Sequence, residues 1–127
     1  MEIYAATKNY RKEEKSVQNA ILSGLQQLAE RIQLYESQGI EFHKIYNDDI
    51  VKYDQHGQFF TYKCHKGRMQ MRILYAYVWV KERPVILVVD YFLKKKPKKD
   101  YIKWFDNWNE LDPIKEYENS YYVATVN

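Results

Sequence analysis

Three runs of aromatic and β-branched residues, 58–65, 72–80 and 85–93, follow one another with only KGRMQ (66–70) and KERP (81–84) between them. Connections this short join antiparallel neighbours and have no room for a crossover helix, so the spacing predicts an antiparallel β-meander. The last run, VILVVDYFL, is almost entirely apolar. A strand buried on both faces reads that way, which makes it the expected central strand, covered by a helix on at least one side.

The helix for that cover lies upstream. Val17, Ile21, Leu25, Leu28, Ile32 and Tyr35 recur at spacings of four, four, three, four and three, lining one face of a 3.6-residue period. Gly39 is placed to close the helix in the left-handed conformation. Gly24, inside the pattern, either permits close approach of a second element, is simply tolerated, or divides the segment into two shorter helices. Residues 1–6 read as a short strand and 7–15 as a polar stretch. Residues 41–55 read as a linking loop and 53–58 as the turn into the sheet. Tyr101, Trp104, Phe105, Trp108 and Leu111 fall at helical spacing, predicting a second helix that ends before Pro113. Residues 121–126 read as an edge strand with no assignable partner. The expected whole is one α+β domain spanning residues 1–127, a meander packed on a long N-terminal helical segment, with a tail from about residue 113 left unplaced.

Composition agrees with a packed domain: 46% of residues are hydrophobic, and only four glycines and three prolines interrupt them. The 13 tyrosines belong chiefly to sheets and cores, where a ring packs while its hydroxyl reaches water. A net charge of +3 says little about partners, but local charge says more. Lys94, Lys95, Lys96, Lys98 and Lys99 crowd around Pro97, while Asp48, Asp49 and the stretch 106–118 gather acids. Such a dipolar surface steers an anionic partner to one face, or else the lysines only solubilise. Cys64 is the sole cysteine, the first sixteen residues lack a signal-peptide pattern, and no window has transmembrane length and character. The expectation is a cytoplasmic protein without a membrane partner.

Several chemistries are poorly served by this sequence. His43, His56 and His65 have no metal-ligand spacing, and neither a phosphate-binding glycine loop nor a nucleophile elbow is present. No metal or cofactor is therefore expected. Metal-free phosphodiester cleavage needs cationic donors for the phosphate and a proton-transfer group. Lys63, His65, Lys66, Arg68 and Arg72 supply those types within ten positions. Lys63 and His65 share a strand face, and a hairpin can return Arg72 beside them; solvated side chains on an open sheet face would read the same. Tyr91 either stacks on a base or exchanges a proton, and Lys94 and Lys95 extend the basic surface. Asp90 either orients a nearby Arg or His or sits on the solvent face.

The segments FFTYKCH (59–65) and MRILY (71–75), followed by VILVVDYFLKKKPKK (85–99), resemble strand motifs of the RelE/ParE superfamily of bacterial type II toxins, especially its HigB-like and phage-derived branch. The order of first strand, helical region, glycine-containing connector and basic strands resembles that family too. The resemblance implies a RelE-like fold and mRNA cleavage, often on the ribosome, by metal-independent attack of the RNA 2′-hydroxyl. A cognate antitoxin would cover the basic surface. It implies phosphate stabilisation by Arg72 and Arg68, electrostatic support from Lys63, proton transfer by His65, and a place near the reacting groups for Tyr91. RNA or ribosome docking would fall to Lys66, Lys94, Lys95, Lys96 and Lys98. Tyr62-Lys63-Cys64 departs from the family's Glu-Leu-Arg, and Trp104, Phe105 and Trp108 depart from its usual last helix. A non-catalytic RNA- or protein-binding module on the same scaffold is the alternative, and an exposed sheet edge with the aromatic helix would also suit a homo-oligomer.

Overall fold

The computed structural model describes residues 1–40, 60–66, 68–93 and 112–126. In chain order the elements are β1 (Glu2–Ala5), α1 (Asn9–Lys12), α2 (Lys15–Ser37), β2 (Phe60–Lys66), β3 (Met69–Val80), β4 (Arg83–Leu93), α3 (Pro113–Glu118) and β5 (Tyr121–Thr125). The architecture is α+β, a mixed five-stranded sheet in the order β2-β3-β4-β1-β5 with one long helix near the N-terminus.

The sheet is mixed and extends beyond the antiparallel meander of three strands expected. β2, β3 and β4 pair antiparallel in succession, but β1 enters parallel to β4 and β5 then runs antiparallel to β1. A four-residue strand carries no sequence signal for its neighbour. Its parallel place is possible because the helical segment supplies the long crossover that parallel pairing demands. β4 is the central strand, and its apolar run feeds both faces: Ile86 and Val88 join the core beneath α2, while Val85, Leu87 and Val89 join a second core on the other face.

The helical stripe packs as its period requires. Val17, Ile21, Leu25, Leu28 and Ile32 are buried in α2 together with Ala20, Gly24 and Ala29, and the helix runs through Gly24 unbroken. Its end is a paired-bond closure: Ile40 N–H donates to Tyr35 C=O at 2.9 Å and Gly39 N–H to Glu36 C=O at 3.0 Å, with Gly39 at φ 74°. Two tyrosine hydroxyls pin the helical layer to the sheet. Tyr77 donates to Glu36 Oε1 at 2.6 Å and Tyr91 to Glu13 Oε2 at 2.7 Å.

Pro113 opens a short helix in the tail that the sequence left unplaced. Asp112 accepts from the Ile114 N–H at 2.9 Å and Pro113 opens α3, so Asp-Pro here begins a helix. Tyr117 of α3 meets Tyr4 of β1 edge to face, ring centroids 4.9 Å apart, over the second core. β5, the strand without an assignable partner, completes the sheet; Val126 N–H donates to the Met1 carbonyl at 2.8 Å. The linking loop 41–55, the turn 53–58, the helix at 101–111, and Lys94, Lys95, Lys96 and Lys98 lie outside the described residues.

Candidate phosphate-handling face

β2 and β3 pair antiparallel, and their register places Lys63 directly opposite Arg72 and His65 opposite Gln70. Cross-strand partners share a face with Cβ atoms about 5 Å apart. Because Tyr62, Met71 and Ile73 point into the core under α2, Lys63, His65, Gln70 and Arg72 point the other way. Lys63 and Arg72 are half-buried, and His65 is exposed. Arg68 sits exposed at the hairpin tip. Lys66 ends β2, and its side chain lies outside the described residues.

Two like charges facing each other across a hairpin cost stability rather than add to it. A site that receives an anion is one setting in which that cost is returned. Asp90 joins the same face one diagonal step from Arg72, because it pairs with Leu74. Its Oδ1 also accepts from the Tyr91 N–H at 2.8 Å. It is half-buried, so it is neither a core carboxylate nor a fully solvated one.

Tyr91 is not brought to this group, and a bulge is the reason. Leu74 pairs with Asp90 but Tyr75 with Val88, so Val89 is an extra residue in β4. Strict alternation from Val85 through Leu87 and Val89 would put Tyr91 on the Arg72 face. The extra residue shifts the phase by one, so Asp90 takes that face and Tyr91 turns under the helical layer. There Tyr91 donates to Glu13, and burial followed by the hydrogen bond to Glu13 holds its ionisation well above the ordinary tyrosine range. It is a structural hydroxyl locked to a carboxylate, away from the cations.

Comparison with protein-family models, with curated proteins and with solved structures returns no match. Among the described residues, no helix is long and apolar enough to cross a membrane.

Proposed function

We propose that this protein binds RNA on the face bearing Lys63, His65 and Arg72 and cleaves it as a metal-independent endoribonuclease. The finer reading is a RelE/HigB-like toxin that acts on mRNA, at the ribosome, and is held in check by an antitoxin; it rests on the strand motifs. The observation that carries the chemical reading is the cross-strand register, which seats two cations around one position with an imidazole two residues along β2. In this reading the RNA 2′-oxygen attacks the adjacent phosphorus and the P–O5′ bond breaks, leaving a 2′,3′-cyclic phosphate and a 5′-hydroxyl. Arg72 and Lys63 stabilise the charge that gathers on the non-bridging oxygens, and His65 transfers a proton at the attacking or leaving oxygen.

The test is cleavage of end-labelled mRNA in EDTA, with and without ribosomes, by the wild type and by Arg72→Ala. The expected outcome is EDTA-resistant cutting that leaves cyclic phosphate ends. It should fall on the order of 100-fold or more in the variant, while circular dichroism shows the fold retained. Equal cutting by the folded variant removes Arg72 from the reaction. RNA bound by the wild type but left uncut replaces the nuclease with a non-catalytic binding module.

A further inference from the structure

A second basic surface lies at the opposite edge of the sheet. Lys8, Arg11, Lys12 and Lys15 fall within eight positions around α1, and three contacts hold that short segment in place. Gln18 Nε2 donates to the carbonyls of Tyr10 at 2.7 Å and Glu13 at 3.2 Å, and the Tyr121 hydroxyl of β5 donates to the Thr7 carbonyl at 2.9 Å. The Arg11 guanidinium lies over the Tyr121 ring, 3.7 Å from its centroid. This stack divides two adjoining clefts. One, of about 480 Å³, is lined by Lys8, Lys12, Asn119 and Ser120; the other, of about 390 Å³, by Tyr10, Lys15, Asn19 and Tyr122. Arg11 and Tyr121 line both.

No described acidic residue lines either cleft. Glu13, the nearest acid in sequence to Lys12, is engaged by Tyr91. Among the described residues no carboxylate pairs with Lys8, Lys12 or Lys15. Tyr121 holds its ring among these cations under Arg11, while the exposed Tyr122 ring turns to the other face, 5.8 Å from the Tyr4 ring. A preorganised groove of cations with aromatic rings is how proteins hold a single-stranded nucleic acid, the charges tracking phosphates and the rings taking bases.

The groove and the Lys63–Arg72 pair also lie at the same end of the sheet. Tyr121 pairs with Ala5, Ala5 with Val88, and Val88 with Tyr75, with Arg72 a short step further along β3. Three strand spacings separate β3 from β5, or about 14 Å across the sheet. Tyr121 faces the helical layer and Lys63 and Arg72 the other side, so an RNA strand that reaches both passes over this end of the sheet.

We propose that the α1–β5 groove is a second seat for single-stranded RNA, gripping a segment of the same strand whose other part lies on the Lys63–Arg72 face. This rests on the reading that the ligand is RNA, but not on its being cut. The experiment is fluorescence anisotropy of a short labelled single-stranded RNA across a salt series. It compares the wild type with Lys8→Ala/Lys12→Ala, with cleavage assayed in parallel and the fold checked by circular dichroism. The double variant should bind on the order of tenfold more weakly, with a log K against log salt slope shallower by about 1.4, at about 0.7 for each lost phosphate contact. Wild-type affinity and slope in the double variant overturn the groove, even if RNA is cut. Uncut RNA with the slope change in place refutes the nuclease and supports the groove, and a wild type that binds no RNA refutes both.

Discussion

The two faces of the sheet carry polar groups of different kinds, hydroxyls under the helical layer and cations on the other side. Under the helical layer three tyrosine hydroxyls join helical segment to strand, Tyr77 with Glu36, Tyr91 with Glu13 and Tyr121 with the Thr7 carbonyl, while the buried Tyr75 hydroxyl has no hydrogen-bond partner among the described residues. On the other face, beyond the second core, Lys63 and Arg72 confront each other across the hairpin. The paired polar groups on the first face hold α1 and α2 to the strands. Those on the second bring two cations together across one hairpin, with Asp90 one diagonal step away. The contrast can be broken by substitutions whose effects on stability and on RNA binding separate.

The largest effect is expected in the core beneath α2. Leu28 is fully buried there, and Leu28→Ala should lower unfolding free energy by roughly 2–5 kcal/mol through lost burial and the cavity left behind. Urea unfolding measures it. A loss below about 1 kcal/mol would show that the α2 stripe contributes less to the fold than its burial implies.

Tyr91→Phe comes next, with an expected cost of about 1 kcal/mol for the hydrogen bond to Glu13 and no change in RNA cleavage. A loss of cleavage with stability intact would return Tyr91 to the reacting groups despite the bulge. The same hydroxyl sets a pH dependence. Ionisation of Tyr91 is raised by burial and then by Glu13, and that of Tyr77 by burial and then by Glu36. A folded-state pKa above the unfolded value of about 10 gives stability that is fully present below pH 10 and falls as the unfolded chain's tyrosines ionise. Urea midpoints should therefore drop between about pH 9 and 11, and less steeply in Tyr91→Phe. An identical slope in both proteins would remove Tyr91 from the alkaline transition.

The sequence announces those features whose cause is local. The α2 stripe from Val17 to Ile32 is a period, the Gly39 stop is a backbone requirement, and β4 is an apolar run, so each is readable without a partner. The parallel seat of β1 and the edge place of β5 depend on which strands meet, and no spacing within Glu2–Ala5 or Tyr121–Thr125 encodes that. Asp112-Pro113 has two readings, since proline both ends helices and opens them; the Asp before it was the available signal for a start. At the candidate site, hairpin logic was enough to place Arg72 near Lys63. The bulge at Val89 was not, and one inserted residue moved Tyr91 to the other face. The α1–β5 groove was hidden for a different reason: KNYRKEEK reads as a solvated polar stretch until Tyr121, more than a hundred residues later, packs under Arg11.

The smallest expected change separates the two faces most sharply. Lys63→Met keeps the length of the aliphatic stem and deletes the charge opposite Arg72, so packing along the stem survives while the repulsion is relieved. Stability should rise by a few tenths of a kcal/mol, within the roughly 0.2–1 kcal/mol range of cross-strand pairs. RNA affinity should fall over the same substitution, and the salt slope should lose about 0.7 for one phosphate contact. On the helical face no such divergence is expected, because Leu28 and Tyr91 act on the fold and have no charge to offer a phosphate. A variant that is both less stable and unaltered in RNA binding would assign Lys63 to the structure. One that gains stability and loses RNA shows the hairpin sacrificing stability for an anion-binding position.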